Sequence, residues 1–479
     1  MIKPLLAAAF ALPFLVSAGI AQTSDSERLE RLERAVQLLQ QRNTELEREV
    51  STLKAKKTAT ATATTAPASP PASPAAASDA KGVVESKPAK EEKKTAPVFA
   101  AASELKLTLG GFIQTQFEAG DVFAFEGRFG SGADEIKDRF RIRRARIGVS
   151  GDYAEQFEFK LEGEFALTDI GLTIRDPSGA TLGSNSTRTS FGATDLFVNW
   201  RAIPEFNVKV GQYKAPFGLE QITSDTKLFT NERSLVTTAL TAERQIGVQI
   251  WGKPFTSFWP EQKDLLTYYA GVFNGTGRNI TVNDNNEFMY VGRLEVQALR
   301  TKILNEDATL RVGVNGLSSR DESGTTISGA LREASDGSLA SFSLPSAGER
   351  TAYGVDAAFR LGPFDLLGEY INQRVDTRVV NNIAPRFAPF RADGYYIQGS
   401  YFVLPKKLQL VTKWEGFDPD QLADDDIYSI TAGVNYYLKG DDIKLLANYI
   451  HTWSDFRERN PRFGKDQFDE VIVRLQVMF

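Results

Sequence analysis

From Leu105 to the C-terminus, apolar and polar side chains alternate with a period of two in windows of about ten residues, separated by Gly, Asn, Asp, Ser and Pro. This alternation constrains the fold more than any other feature, because successive side chains of a strand point to opposite faces of its sheet. Leu105, Leu107, Leu109, Gly111, Ile113 and Phe117 face one way, and Lys106, Thr108, Gln114 and Gln116 the other. Phe157, Phe159, Leu161 and Phe165 likewise oppose Glu158, Lys160, Glu162 and Glu164, and Tyr428, Ile430, Ala432, Val434 and Tyr436 oppose Ser429, Thr431, Gly433 and Asn435. Two β-sandwich domains would bury apolar inner faces. Here the second face is charged in strand after strand, which suits a wet lumen inside an apolar outer wall.

Strands are expected near 105–117, 139–150, 157–167, 193–202, 206–214, 244–252, 265–273, 288–297, 308–316, 351–360, 364–372, 394–403, 408–415, 428–438, 443–451 and 470–479. The count is even and the windows match the roughly 9 to 11 residues that a tilted spanning strand needs. The expected fold is therefore all-β, a 16-stranded antiparallel transmembrane β-barrel over 104–479, in a bacterial outer membrane and in contact with its lipid.

The first hundred residues are of other kinds. Lys3, the apolar stretch Pro4 to Val16 and the small residues Gly19-Ile20-Ala21 read as a secretory signal over 1–21, too short to span a bilayer as a helix. In 26–54, Leu29, Leu32, Val36, Leu39, Asn43, Leu46, Val50 and Leu53 keep an unbroken heptad spacing, with Val and the polar Asn43 at a positions and Leu at d. Arg28 with Glu33, Arg42 with Glu47 and Glu49 with Lys54 pair opposite charges across a parallel interface. This N-terminal coiled coil predicts homo-oligomerisation through Leu32, Val36, Leu39, Asn43 and Leu46, with dimer against trimer left open. The stretch 55–103, rich in Ala, Thr, Pro, Ser and Lys and almost without aromatics, cannot bury enough surface to fold and reads as a disordered tether.

The chain has no Cys and one His, His451, so a His/Cys metal site, a Cys nucleophile and a disulfide framework are excluded. No catalytic group, cofactor or metal is expected, and His451, between Tyr449 and Trp453, fits an interfacial aromatic girdle better than a Ser-His mechanism. The formal charge of -5 argues against nucleic acid as a partner. The final strand places Val471, Val473, Leu475, Val477 and Phe479 on one face, with Arg474 and Gln476 opposite. A terminal strand ending in Phe479 resembles the signal read by the barrel-assembly machinery.

The runs RFRIRRARIGVSGDY (139–153), VKVGQYKAPFGLEQITSDTKLFTNERSL (208–235), ERQIGVQIWG (243–252) and ITAGVNYYLKGDDIKLLANYIH (430–451) resemble the phosphate-selective porin O and P family, and the resemblance extends over 105–479. It implies a homotrimeric sixteen-stranded diffusion channel whose lumen carries an arginine ladder and a constriction with lysines. The coiled coil and Pro/Ala tether also resemble members of that family. The function implied is a porin for small hydrophilic solutes, anions first and phosphate among them.

The residues themselves leave selectivity open. Residues 1–103 hold 14 basic and 11 acidic groups of the 56 and 61 in the chain, so the barrel carries 42 and 50, a net of -8. Selectivity, however, is set at the narrowest ring, where field lines focus. The inward parity gives Arg144, Arg146, Lys160, Lys209, Arg293, Arg311, Arg360, Lys413, Lys444 and Arg474 as pore-lining, anion-binding candidates. Inward Glu158, Glu162, Glu164, Asp195, Glu295, Asp356 and Glu369 could pair them. Lys214, Lys227, Arg233, Arg175 and Arg188 are candidates for the constriction.

The run Arg139, Arg141, Arg143, Arg144 and Arg146 breaks alternation, so either a bulge lies near Arg143 or the first residues lie beyond the membrane, which is the preferred expectation for Arg139 and Arg141. KAPFGLEQ (214–221), with Pro216, is expected to be a turn or a loop folding into the lumen, and DPDQLADDD (418–426) a solvated hairpin loop. The other class that fits is a structural or adhesive anchor, its barrel held in the membrane and its coiled coil binding cell wall.

Overall fold

The computed structural model describes Thr44 and residues 105–479 apart from 122–137, 167–172, 176–180, 185–190, 284, 322–330, 334–338, 342–347, 378–387, 422–423, 460 and 462–464. The signal segment, the tether and the coiled coil, save for a helical Thr44, lie outside the described residues.

The alternating segments form sixteen strands of one closed antiparallel barrel. In order these are β1 (Leu105–Gly120), β2 (Arg139–Tyr153), β3 (Phe157–Glu164), β6 (Gly192–Ile203), β7 (Phe206–Lys214), β8 (Arg244–Gly252), β9 (Leu266–Phe273), β10 (Met289–Ile303), β11 (Glu306–Asp321), β14 (Gly348–Leu361), β15 (Phe364–Thr377), β16 (Phe390–Leu404), β17 (Leu408–Asp418), β18 (Ile427–Lys439), β19 (Ile443–Ser454) and β20 (Gln467–Met478). Two small hairpins stand apart from the barrel: β4 (Thr173–Arg175) with β5 (Thr181–Ser184), and β12 (Leu331–Glu333) with β13 (Leu339–Ser341). Each expected window corresponds to one barrel strand. β10, β11, β14, β15 and β16 run several residues further than expected.

The barrel closes between β20 and β1. Phe479 donates its N–H to the Gly111 carbonyl and Gly111 donates to the Phe479 carbonyl, both at 3.0 Å, so the terminal residue is part of the seam. Most connections at the end that holds Leu105 and Phe479 are short, such as 304–305 and 362–363, while the long ones lie at the other end. The turn residues Leu304 and Asn305 take positive φ, as a two-residue hairpin turn requires. Residues such as Val210, Leu294, Val314, Val355, Ile397, Leu410, Val434, Val471 and Leu475 are exposed along one parity. That parity is the apolar outer wall, with Trp414, Tyr428 and Trp453 packed on it near one rim. His451 shares this face, 4.3 Å from Trp453 edge to face and with Nδ1 2.6 Å from Asp469. Among the described residues no helix is long and apolar enough to cross a membrane.

The connection 215–243 between β7 and β8 does not stay outside. It folds into the barrel and carries two short helices, α1 (Leu219–Ile222) and α2 (Leu235–Leu240). α2 packs on β15, β16 and β17. Leu235, Val236, Ala239 and Leu240 are buried against Phe273, Met289, Val291, Ile371, Val375, Phe390 and Phe417. These strand residues lie on the inward parity, where the alternation led us to expect a wet face. The inner wall is apolar here because the loop covers it.

Arg143 is the extra residue of a β-bulge. Gln114 pairs with Arg144 and Thr115 with Ile142, so Arg143 has no partner of its own in the register. Of the two expectations, the bulge near Arg143 is the one the register shows, and it accounts for the broken alternation without reference to where the membrane ends. The bulge resets the parity, and Arg139, Arg141, Arg143, Arg144 and Arg146 all turn to the inner face, where Arg139 and Arg141 meet Glu118 at 2.8 and 3.6 Å.

Candidate functional site

The lumen is built from the inward residues of the wall and the loop 215–243 laid across them. Pro216 ends β7 by removing a ladder donor, and Gly218, at φ 84°, turns the chain into α1. A Cβ at Gly218 would come within 3.0 Å of Glu369 Oε1, so the bare position lets that wall carboxylate approach. Glu369 then accepts from the Leu219 and Glu220 N–H groups at 2.8 and 3.2 Å. Two strands along the same wall, Glu415 accepts from Leu235 N–H at 2.8 Å, and Ser234 caps α2 by accepting from Thr237 N–H at 3.2 Å. Two wall glutamates thus satisfy helix-end donors that would otherwise be orphaned inside the barrel.

Between the helices the loop is pinned by charge. Asp225 meets Arg146 at 2.6 Å, Arg233 at 2.5 Å and Arg144 at 3.6 Å. Glu232 meets Arg474 at 2.5 Å, Arg143 at 2.9 Å and Arg144 at 3.9 Å. Burial opposes the ionisation of both carboxyls. The Arg233, Arg144 and Arg146 guanidiniums outweigh it at Asp225, and Arg143, Arg474 and Arg144 do so at Glu232, holding both well below the ordinary carboxylate range. Backbone contacts complete the seam: Asn435 donates to the Phe229 carbonyl at 2.8 Å, Asn231 N–H to Asn448 Oδ1 at 2.7 Å and Asn231 Nδ2 to the Ile472 carbonyl at 2.8 Å.

All ten expected lumen cations lie on inward positions, but they divide into two kinds. Arg144, Arg146, Arg474, Lys413 and Lys444 are buried beneath the loop. Lys413 and Lys444 donate to the Glu232 and Leu228 carbonyls, each at 3.3 Å. Arg293 is buried in a two-pronged contact with Asp356 at 2.6 and 2.9 Å. Lys209 lies 3.6 Å above the Phe197 ring and 4.7 Å from that of Tyr213. The remaining three stay open to the lumen. Arg360 is 59% exposed while its partner Asp365 is 8% exposed, and Arg311 is 52% exposed against 19% for Glu295. Lys160 is 32% exposed against 16% for Asp195 and 11% for Glu162. In each pair the carboxylate sits behind and the cation faces the water.

Arg311 and Arg360 share a cavity of about 430 Å³ with the exposed Lys227, beneath the loop. Of the constriction candidates, Lys227 alone lines this cavity. Lys214 donates to the Thr223 carbonyl at 2.7 Å, and Arg233 is held by Asp225 and the Glu220 and Thr223 carbonyls. The side chains of Arg175 and Arg188 lie outside the described residues. Parity alone could not reveal Asp225, Glu232 and Glu415 as the loop's fastenings. A usable signal was the density of Glu220, Asp225, Glu232 and Arg233 in a segment already marked as inward-turning by Pro216.

Residues 119–479 match the family model for phosphate-selective porin O and P. An uncharacterised protein of Aquifex aeolicus is 25% identical over 427 residues, covering 84% of this chain and 92% of its own. Porin O of Pseudomonas aeruginosa is 22% identical over 433 residues, 78% of this chain and 89% of its own. Among solved structures, the trimer form of OmpT of Vibrio cholerae aligns over 78% of this chain and all of its own, with a TM-score of 0.50 and 13% identity.

Proposed function

Because the chain belongs to the phosphate-selective porin O and P family, and is thus an outer-membrane porin and a channel, not an enzyme, we propose that its lumen prefers small anions, inorganic phosphate among them. One observation carries the preference. At the three most exposed inward cations the carboxylate partner is the less exposed of the pair, as at Arg360 with Asp365 and Arg311 with Glu295, whereas at Lys444 with Asp441 the order is reversed. A passing ion therefore meets guanidinium groups, which keep their charge at any relevant pH and present planar donor forks. The net charge of -8 on the barrel is a poor guide to this preference, because selectivity is set by the groups at the narrowest ring.

The further reading is a homotrimer, assembled with the aid of the coiled-coil residues Leu32, Val36, Leu39, Asn43 and Leu46. The heptads and the solved trimer form of a protein with the same fold support it. Phe479, in the closing seam, is the natural handle for the barrel-assembly machinery. A second reading has its own observation: the loop is fastened to both sides of the wall, and a fully occluded lumen would make the barrel an anchor that the coiled coil joins to the cell wall.

Planar-bilayer recording of the purified protein in a potassium chloride gradient separates these. The expected reversal potential lies on the anion side and moves toward the cation side in Arg311→Glu with Arg360→Glu. A cation-side potential in the parent protein refutes the preference, and absence of conductance favours the anchor.

A further inference from the structure

We infer that the cavity beneath the inward loop is a binding site for amphipathic organic anions, in which an apolar or aryl body carries a carboxylate or sulfonate, and that it favours these over compact inorganic anions. The inference rests on the anion preference proposed above and names the class of solute that the same passage takes. The cavity, about 430 Å³, has two kinds of wall. Arg311 and Arg360 stand on one side, with Lys227 reaching in from the loop. Phe229 from the loop, and Phe402 and Tyr437 from the wall, their rings 5.4 Å apart, supply carbon surface, while Asp365 behind Arg360, Asp441 bound to Lys444, Glu220 and the polar Thr223, Thr309 and Gln398 complete the lining.

A site made for inorganic phosphate surrounds it with donors on all sides, because every oxygen that leaves water must be paired again. Here much of the surface offers no donor. The Tyr437 hydroxyl is itself spent on Gln409 Oε1 at 2.6 Å, so its ring, not its O–H, is what faces a solute. A compact anion bound at Arg311 and Arg360 would leave part of its hydration shell against aromatic faces and gain nothing for it. An anion with an apolar body places its charged head on the guanidiniums and its body on Phe229, Phe402 and Tyr437, releasing water from both. The accessible volume is large enough for an aryl ring, and the open guanidiniums, more than half exposed, need not break their carboxylate contacts to receive the head group.

The test compares benzenesulfonate with methanesulfonate as blockers of chloride current through the full-length protein in planar bilayers. The two share a head group that is ionised at all working pH values and differ only in the body. The expected result is half-block by benzenesulfonate at a concentration about three- to tenfold lower, the range that one aromatic contact provides. Equal potency overturns the inference. In Phe229→Ala with Phe402→Ala the advantage is expected to vanish, and an advantage that survives places the site elsewhere and overturns the assignment. The comparison in the parent protein needs no variant to fold. The reversal potential in the same recording keeps the two readings apart: an anion-side potential with equal sulfonates sinks this inference alone, and a cation-side potential sinks both.

Discussion

Replacing Glu232 with Gln changes one oxygen to nitrogen and hardly alters shape, yet it removes the charge that faces three guanidiniums. Glu232 is 2% exposed, with Arg474 at 2.5 Å, Arg143 at 2.9 Å and Arg144 at 3.9 Å. Breaking one side of such a buried pair costs about 3–5 kcal/mol, because the remaining charges stay out of water without compensation. Gln retains a carbonyl that still accepts a hydrogen bond, so the lower end, about 3 kcal/mol, applies. The barrel ladder is not touched, so the cost falls on the local equilibrium between the fastened and released loop. Three kcal/mol raises the released population by about two orders of magnitude. Hydrogen exchange reads this directly. The Asn231 and Leu235 amides, bonded to Asn448 and Glu415, should lose protection by about a hundredfold, while amides of β18 and β19 exchange as before. Single-channel current should become noisier, and the reversal potential should move further to the anion side as Arg143, Arg144 and Arg474 lose their counter-charge. Adding Arg474→Gln should restore part of the protection, since the pair is coupled. Loop exchange unchanged within twofold would refute the claim that Glu232 fastens the loop.

Three further outcomes are expected. Gly111→Ala places a Cβ against the Arg146 carbonyl and the Phe479 ring in the closing seam, so the folded barrel should lose its resistance to unfolding in detergent at a lower temperature, read as the heat-dependent mobility shift on gels. Asp225 and Glu232 have folded pKa values below their ordinary 3.8 and 4.5, so their contribution is present above those values and is lost only as pH falls through the lower folded ones. Current noise should therefore stay flat from neutral pH down to about 4.5, with loop release confined to stronger acid, and an onset near pH 6 would contradict it. Deleting residues 26–54 should leave a conducting barrel but weaken the oligomer on native gels, and an unchanged oligomer would assign assembly to the barrel walls.

Much of the fold was legible because its cause is local. A strand in a barrel wall meets lipid on one face and lumen on the other, and that asymmetry is written into every second residue, from Leu105 in β1 to Val477 in β20. The same parity turned all ten lumen cations inward, and Pro216 marked the segment that leaves the wall. At Arg139 to Arg146 the pattern broke, and two explanations fitted. Pairing with β1 decided for a bulge at Arg143, because only the partner strand shows which residue is extra.

What those inward cations do was not legible. Whether a guanidinium faces water or a carboxylate depends on residues as far as 79 and 242 positions away along the chain. Arg474 is silenced by Glu232 and Arg146 by Asp225, both delivered by one loop, whereas Arg311 and Arg360 stay open because the loop passes above them. The inner apolar face under α2 has the same origin: Phe273, Val291 and Ile371 obey the inward parity but meet α2 in place of water. The sequence by itself determined a sixteen-stranded wall with charge inside, since alternation is a property of neighbours along the chain. Only the tertiary structure decided which charges remain for a solute, since electrostatic pairing is set by distance in space, and that distance is fixed by where one loop comes to rest.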